Sequence, residues 1–543
     1  MAVMKTPGVY IVEKNAFPNS VVEVATAVPA FIGHTEYADN RNVPLAMKPW
    51  RISSMAEYHQ FFGGPPKPVF KIAAPADGQS ADFQAVAERD KDPQGFVIQQ
   101  ADGVEGGRFG LYQALRHFYQ NGGGPCYIVS VGTYKDELDK ELMTKGIDEL
   151  LKEQEPTMVL VPEAVSLKTI DDCKDVQQAM LAHCGGKMRS RIAILDIYNG
   201  DKALNDNLKP VDTFRDKLGI NYLDFSVAYY PWLNTSIVGE KELSFENIHK
   251  DSIATLKSLM LAELRLDAKP AEDAPARDKA MADAIAGVDT DFEAQVKAAF
   301  DEQKKTDPKA KDPTPDQIKA GVLARKALLN KTLSSVSGVF NTVLNEARRH
   351  LNVMPPGPAM AGIYTMVDNS RGVWKAPANV SLSGVISPTV SISAEQQEDL
   401  NVTAQGKSIN AIRSFIGEGV LVWGARTLDG NSLDWRYVNV RRTMIMLEES
   451  CKLAAKALVF EPNTANTWVT IKSMIANFLT GIWKRGGLMG AVPEDAFSVH
   501  VGLGETMTPD DVLEGILRVT VLVAMVRPAE FIEITFQQQM PKS

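Results

Sequence analysis

NGGGPCYIVSV, residues 121–131, decides the fold class of this chain. Its glycines and proline end a helical stretch at residues 110–119, and the apolar run that follows is typical of a strand buried on both faces. The same alternation of helix and apolar strand continues through residues 157–161, 191–196 and 225–230. Helices between fully buried strands predict a parallel, doubly wound sheet, so we expect an α/β domain here.

The chain on the N-terminal side of this region is expected to begin the folded body at residue 21. Residues 50–52 have the pattern of a strand, and residues 53–64 that of a short helix capped by serine and stopped by glycine. Residues 65–107 are rich in Pro, Gly, Asp and Gln. This composition predicts a long surface loop.

Residues 266–330 differ in composition from the rest of the chain. They are rich in Ala, Lys, Asp and Glu, have few aromatic residues and contain five prolines. Thr314, Pro315 and Gln317 have the spacing of a capped helix start. We interpret the segment as a helical insertion that faces solvent. Its role is open between a functional appendage and a solvated decoration, and the composition favours the decoration.

The C-terminal part is the most sharply patterned. Residues 420–427 and 435–441 resemble two strands, and Asp429-Gly430 between them is a strong turn signal, so the pattern predicts a hairpin. An apolar face with helical spacing follows, and then a second, amphipathic helix at residues 466–484.

Both ends of the chain have the pattern of isolated strands: TPGVYIVE at residues 6–13 and EFIEITFQ at residues 530–537. Neither segment has a turn-joined partner strand beside it. A lone strand has unpaired backbone groups along both edges and is stable only when another sheet accepts it. If the acceptor belongs to another copy of the chain, the protein is a polymer subunit linked by strand addition. The alternative is that both ends pair within one subunit.

Composition limits the remaining possibilities. A chain of 543 residues is expected to form two or more domains. A net charge of −9 argues against a general nucleic-acid or anionic-membrane binder, because both need a basic surface. We find no apolar stretch of membrane-spanning length and no signal-peptide core, so we expect cytoplasmic synthesis and no direct membrane insertion. The four cysteines lack C-x-x-C spacing, and neither a disulfide framework nor a zinc site is expected.

Seven short motifs, in this order, resemble the sheath proteins of contractile phage tails and of phage-tail-like injection particles. They are KTPGVY (5–10), NGGGPCYIV (121–129), DNSRGVWKAPAN (368–379), GART (424–427), WRYVNVRR (435–442), VFEPN (459–463) and RPAEFI (527–532). Each motif alone is a weak signal. Their joint occurrence in one chain is highly specific.

The resemblance implies an α/β multidomain fold, with a subtilisin-like doubly wound outer domain and an α+β inner domain that faces a rigid tube. The expected segments are an N-terminal linking arm (1–20), the N-terminal part of the body (21–107), the outer domain (108–400) with the insertion 266–330, the inner domain (401–529) and a C-terminal linking arm (530–543).

The resemblance also implies that the arms enter neighbouring subunits and complete a small sheet in the inner domain. The residues expected in the intersubunit arms are Val9, Tyr10, Ile11, Val12, Phe531, Ile532, Ile534 and Phe536. The candidate arm acceptor is the predicted hairpin, represented by Val420, Val422, Trp435 and Tyr437. The candidate tube-facing residues are Lys472, Lys484 and Arg485, on or beside the amphipathic helix. The alternative for that helix is simple packing in the core with solvated lysines.

The implied partners are other copies of the chain in helically stacked hexameric rings, an inner tube protein, and baseplate and tail terminator or cap proteins. No nucleic acid and no cofactor are expected. The particle is either a virion tail or a released or cell-anchored injection particle, and the sequence leaves open whether sister sheath chains share the lattice. Alternatives within the same class are a type VI secretion-like sheath and a tail terminator.

An enzymatic function is the alternative to these structural roles, because an outer domain similar to subtilisin suggests a hydrolase. Fold does not carry catalysis, and a serine hydrolase needs Ser, His and an acid in defined settings. The seven histidines occupy no recognisable catalytic context, and His117 is expected in a core or an interface. We therefore expect no catalytic residues, no bound metal and no enzymatic activity.

Overall fold

The computed structural model describes residues 21–306 and 312–535, which fold around three large hydrophobic cores. Five of the predicted arm residues lie outside these ranges: Val9, Tyr10, Ile11, Val12 and Phe536.

The described ranges contain the following strands: β1 Pro29–Thr35, β2 Asp39–Asn40, β3 Val43–Pro44, β4 Trp50–Ile52, β5 Phe70–Ala73, β6 Phe83–Ala85, β7 Gln94–Gln100, β8 Cys126–Thr133, β9 Met158–Leu160, β10 Ile192–Asp196, β11 Ser226–Tyr230, β12 Leu233–Thr235, β13 Val353–Met354, β14 Val380–Ser381, β15 Val385–Pro388, β16 Asn410–Phe415, β17 Gly419–Trp423, β18 Phe497–His500 and β19 Thr520–Val523. The α-helices are α1 Met55–Phe62, α2 Leu111–Gln120, α3 Lys140–Glu149, α4 Ile170–Leu181, α5 Pro210–Leu218, α6 Lys250–Leu264, α7 Ala276–Ala286, α8 Phe292–Thr306, α9 Pro315–Val336, α10 Gly338–Leu351, α11 Gly357–Arg371, α12 Ala394–Asn401, α13 Val438–Lys456, α14 Ala465–Lys484, α15 Pro493–Ala496 and α16 Pro509–Leu513.

The largest sheet has nine strands in the order β14-β17-β16-β11-β10-β9-β1-β8-β4. Its central strands run parallel, and β4, β17 and β14 pair antiparallel at the two sides. The predicted parallel sheet is confirmed. Its extent differs from the predicted outer domain, because β1, β4, β16 and β17 belong to the same sheet although they lie outside residues 108–400.

Helices cover both faces of this sheet. Phe31 and Ile32 are neighbours on β1 and therefore point to opposite faces. The ring of Phe31 meets that of Phe118 on α2 at 5.2 Å between centroids. On the other face, α3 approaches so closely that a Cβ at Gly146 would clash with Ile32 and Val131. Apolar strands alternate with helices in the sequence because helices cover both faces of each strand, as expected.

A second lobe combines the sheet β5-β7-β6 with helices α6 to α10 around its own core. The prediction of a long surface loop at residues 65–107 is wrong, because all three strands of this sheet lie in that segment. Phe70 and Ile72 alternate with less buried residues, whereas Phe96, Val97 and Ile98 on the neighbouring strand are all buried. The Pro and Gly content of the connecting turns concealed these short strands.

The insertion at residues 266–330 is helical, as predicted, and Thr314 caps α9 with the expected capping box. Its description as a solvent-facing excursion is wrong in part. Ile285 and Phe292 are buried in the second core, and Leu333, just beyond the insertion, is buried with them. The insertion therefore supplies one wall of the second lobe.

The third core belongs to a C-terminal lobe built from α13, α14 and the two-stranded sheet β18–β19. The apolar face of α14 packs inward, with Ile471, Ile475, Leu479 and Ile482 all buried. The two helices predicted here are confirmed. The edges of β18 and β19 that face away from each other carry no third strand within the described part of the chain.

The hairpin predicted over residues 420–441 is confirmed only at one antiparallel bridge, between Arg426 and Tyr437, and the rest of it is wrong. The strand β17 pairs instead with β16, and Gly417 and Gly419 adopt φ of 83° and 84° at the turn between them. Residues 438–456 are helical, and Val438 to Arg442 are buried around the whole helix circumference. A helix buried on all sides loses its 3.6-residue signature, which is why the alternation in WRYVNVR resembled a strand.

Candidate functional site at the arm roots

The C-terminal arm leaves the body at a buried ion pair. We define the C-terminal root as residues 524–530, which follow β19. Glu530 accepts hydrogen bonds from Arg426 through Nη2 at 2.7 Å and through Nε at 3.0 Å. The Tyr437 hydroxyl and the Asn401 amide donate to the same carboxylate, each at 2.9 Å. Four donors from three separate elements thus converge on one side chain.

The electrostatics of this root favour the ionised carboxylate. Burial of Glu530 acts to raise its pKa, but the hydrogen bonds from Arg426, Asn401 and Tyr437 outweigh that effect and lower the pKa below its usual value. The side chain of Arg426 is only 4% exposed and that of Glu530 is 19% exposed. Loss of one partner from so buried a pair leaves an uncompensated charge.

Beyond Glu530 the described arm is exposed and apolar. Phe531, Ile532 and Ile534 are 76%, 79% and 71% exposed. Residues 531–535 form no strand with any other residue that the structure describes. Apolar side chains this exposed at a chain terminus have the chemistry of a segment that is covered by a partner. Their role as an intersubunit arm stays a prediction.

The N-terminal root, residues 21–26, is held by a second buried ion pair. Arg442 binds Asp368 with both terminal nitrogens, at 2.6 and 3.0 Å. The Thr26 hydroxyl donates to the same carboxylate at 2.5 Å, and the Thr26 carbonyl accepts from Arg442 at 3.0 Å. Val24 is fixed through its backbone N–H, which donates to the Ser450 hydroxyl at 3.1 Å. The N-terminal root is therefore held at a fixed position on the body.

The sequence motifs that carry the resemblance meet at these two roots. Arg426 belongs to GART, Arg442 to WRYVNVRR, Asp368 to DNSRGVWKAPAN and Glu530 to RPAEFI. Sequence analysis did not single out these four residues. The available signal was charge: arginines and acids inside motifs that are otherwise apolar are expected to be paired when buried.

The four candidate acceptor residues do not form a free strand edge. Val420 and Val422 lie on β17, which has β16 on one side and β14 on the other. Trp435 packs against the guanidinium of Arg441, 3.6 Å from the ring centroid, and the Tyr437 hydroxyl is bound to Glu530. The physical reason is that both sides of β17 are already paired within the subunit.

The candidate tube-facing residues are exposed but do not form one row. Lys472 and Lys484 lie on α14, twelve positions apart, and therefore about 120° apart around the helix. Arg485 forms an ion pair with Glu23 and lies 5.1 Å from the ring centroid of Trp374. Lys484 shares its face with Asn477, which is also exposed. Whether this face contacts a tube stays a prediction.

His117 lies in the core, as expected from the sequence. It is fully buried on α2, and burial lowers the pKa of its imidazole to about 4. His34, also buried, holds Nδ1 2.7 Å from an oxygen of Glu163. Across residues 21–306 and 312–535, no cluster of three or more His, Cys, Asp or Glu side chains is arranged to hold a metal ion. None of the helices in these ranges has the length and hydropathy of a membrane span.

Comparison with known proteins finds a likeness to tail sheath proteins. The family model described as the phage tail sheath C-terminal domain matches residues 431–539. A tail sheath protein of Vibrio phage KVP40 is 25% identical over 189 residues, which are 34% of this chain. The chain covers about a quarter, 26%, of the length of that curated relative.

Solved structures extend the likeness to the whole chain. A chain in the contracted helical sheath of the anti-feeding prophage is 25% identical with a TM-score of 0.55, and the match covers 99% of this chain and 100% of that one. A chain in the anti-feeding prophage baseplate is 26% identical with the same TM-score and the same coverage. The predicted mixed α/β multidomain fold is confirmed, and so is the predicted relationship of this chain to the contractile tail sheath proteins.

Proposed function

We propose that this chain is the structural sheath subunit of a contractile tail or of a contractile injection particle. In this role it polymerises helically around an inner tube and contracts to drive that tube through a target membrane. The observation that carries the proposal is the end-to-end likeness to a helical sheath chain, with 99% of this chain covered. The two anchored arm roots support it, because an assembly held by exchanged strands needs arms that start from fixed positions.

The arms are proposed to link neighbouring subunits, and the acceptor is proposed to be the sheet β18–β19. Two observations support this choice. The sheet has only two strands, and a two-stranded sheet is marginally stable in isolation. Leu522 on β19 is also 59% exposed, which leaves apolar surface for an added strand to cover. Arms from neighbours would extend the sheet on its two free edges.

Strand addition suits a lattice that must rearrange without falling apart. Each backbone hydrogen bond is worth only about 0.5–1.5 kcal/mol net, but one arm makes several of them and a lattice contains many arms. The linkage therefore survives while the main interfaces between subunits change. In this proposal the energy of contraction is stored in the difference between extended and contracted interfaces, and the chain hydrolyses no nucleotide.

The inner surface of the sheath is proposed to include the polar face of α14, with Lys484 and Asn477. Exposed ion pairs with an acidic tube are worth about 0–1 kcal/mol each and are weakened by salt. Contacts this weak can be released during contraction. The baseplate, a terminator or cap protein and the tube are the proposed partners, and assembly is proposed to occur in the cytoplasm.

Negative-stain imaging of the overexpressed chain tests the proposal. The full chain is expected to form tubes, alone or with co-expressed tube protein. Deletion of residues 1–14, or truncation after Glu530, is expected to abolish the tubes while the melting temperature of the monomer stays unchanged. Tubes that persist without either arm would refute the arm linkage. Failure of the full chain to assemble, together with hydrolytic turnover that one Ser or His substitution abolishes, would refute the sheath assignment itself.

A further inference from the structure

One short segment contacts the roots of both arms. The Tyr437 hydroxyl donates to Glu530 at 2.9 Å, and the Asn439 amide donates to the Val526 carbonyl at 3.1 Å, so both hold the C-terminal root. Three residues further on, Arg442 donates to the Thr26 carbonyl at 3.0 Å and holds the N-terminal root. These contacts lie within residues 437–442, which span about 7.5 Å along the axis of α13.

The same segment is fixed to the main body by the residue between these contacts. Arg441 forms an ion pair with Asp224, and its guanidinium lies 4.2 Å from the ring centroid of Phe225 and 3.6 Å from that of Trp435. Its side chain is 5% exposed. Arg441 contacts neither arm root in these interactions. Its role is therefore to hold the start of α13 against the nine-stranded sheet.

We propose that residues 437–442 are a shared anchor, from which both arms leave in a fixed relative geometry. The inference rests on the proposed sheath function for its purpose, which is to set how one neighbour is placed relative to another. Force on one arm passes to the other through less than two turns of one helix. It does not cross the second lobe, so that lobe can move during contraction while the linkage between subunits keeps its geometry.

The contacts divide the residues into two classes with different expected effects. Substitution at a single root, Glu530→Gln or Thr26→Val, removes a contact of that root alone. Arg441→Met removes the ion pair with Asp224, which involves neither root. It is expected to loosen the start of α13, which both roots contact. A shared anchor predicts that Arg441→Met mobilises both roots, whereas each root variant mobilises one.

Distances between spin labels measure this directly in the full-length monomer. Cysteines at Val22 and Phe531, both exposed, report the two roots, and one at Lys145 on α3 reports the body. Cys451 is replaced by Ser so that it does not take up label. Label pairs are made between each root and the body. Lys319→Gln, at an exposed position of α9 outside both roots, is the matched control and is expected to give the distances of the wild type.

In Arg441→Met, the distance distributions of both root–body pairs are expected to be roughly twofold wider than in the wild type. In each root variant, only the pair that includes the substituted root is expected to widen. Asp224→Asn weakens the same ion pair from the body side and gives a second test if Arg441→Met does not fold. A change at one root only, or at neither root, in a folded Arg441→Met or Asp224→Asn protein would overturn the shared anchor. Absence of tubes in the wild type would instead refute the sheath function, because the distance measurement needs no assembly.

Discussion

The carboxylate of Glu530 and the guanidinium of Arg426 form a two-point ion pair, with Nη2–Oε2 at 2.7 Å and Nε–Oε1 at 3.0 Å. This geometry is the strongest that a carboxylate and an arginine adopt. It lies where the described chain changes from a body with paired backbone to an exposed apolar segment. The position of the arm is therefore determined by a charged contact.

The first prediction concerns acid release of the C-terminal root. Because the pKa of Glu530 is lower in the folded protein than its ordinary value of 4.5, the carboxylate stabilises the root above about pH 4.5. That contribution is lost as the pH falls through the lowered pKa. Pepsin can cleave next to Phe531 only if the residues on both sides of Phe531 enter the protease. Cleavage therefore reports that the C-terminal root has detached from the body.

The measurement is the ratio of pepsin cleavage rates of Glu530→Gln and wild type, which cancels the pH dependence of the protease. The ratio is expected to be about ten at pH 5 and to fall towards one as the pH drops through the lowered pKa of Glu530. Glu533→Gln is the matched control and is expected to follow wild type throughout. A ratio that does not change with pH would contradict a role for the ionised carboxylate.

The second prediction concerns Asp196, at the end of β10. Burial raises the pKa of this carboxyl to about 7, and a hydrogen bond from the Gly357 N–H opposes the shift. The folded protein therefore retains a proton that the unfolded chain loses at lower pH. Between about pH 4 and about pH 7 this group makes the folded state less stable as the pH rises, by up to about 4 kcal/mol.

Asp196→Asn removes this titration. The variant is expected to gain stability relative to wild type when denaturant unfolding is measured at pH 8, and to gain little or nothing at pH 4. A stability difference that is the same at both pH values would show that Asp196 titrates normally. His117 does not interfere with the comparison, because both proteins contain it.

Sequence patterns identified the elements that bury one face or alternate strictly. The strands β4, β8, β9, β10, β11 and β17, helices α2, α13 and α14, and the capped starts at Ser54 and Thr314 all follow local rules for which a single sequence is sufficient. The failures share another cause. Residues 65–107 form short strands that pair with one another. The sheet is stabilised by packing on helices α6 to α10, which lie more than a hundred residues further along the chain.

The arm roots illustrate the limit for functional sites. The exposure of Phe531, Ile532 and Ile534 agrees with the apolar, unpaired segment that local pattern predicts at the C-terminal end. Glu530 and Arg426, however, are separated by 104 positions, and Thr26 and Arg442 by 416. Charged residues in a motif indicate that a partner exists, but only the fold shows which residue it is.

The third prediction concerns the insertion at residues 266–330. Ile285 on α7 is 1% exposed and belongs to the second core, whereas Leu323 on α9 is 59% exposed. Ile285→Ala is expected to destabilise the second lobe by about 2–5 kcal/mol, because it leaves a cavity. Leu323→Ala, in the same insertion, is expected to change stability by less than about 0.5 kcal/mol.

Denaturant unfolding of both variants, followed by limited proteolysis of the second lobe, provides the measurement. Equal, small effects would mean that the insertion is a solvated decoration after all. A large effect confined to Ile285→Ala would establish it as part of the core of that lobe.

The fourth prediction identifies where an arm binds on its neighbour. If the C-terminal arm adds to the sheet β18–β19, Ile534 on the arm and Leu522 on β19 come close enough in assembled tubes to form a disulfide between engineered cysteines. Both side chains are exposed in the subunit, at 71% and 59%, so neither substitution opens a core. Mild oxidation of tubes carrying Ile534→Cys and Leu522→Cys is expected to give ladders of covalent oligomers under non-reducing conditions.

The matched control combines Ile534→Cys with Ile416→Cys, at the exposed turn of the hairpin β16–β17. It presents a cysteine at a more exposed position than Leu522, beside the strand that contains Val420 and Val422, and no ladder is expected. Ile534→Cys alone measures any reaction with the half-buried Cys451. A ladder from the Ile416 pair and none from the Leu522 pair would transfer the acceptor to β17. In that case an arm would have to displace β14, which pairs with β17 through only two residues.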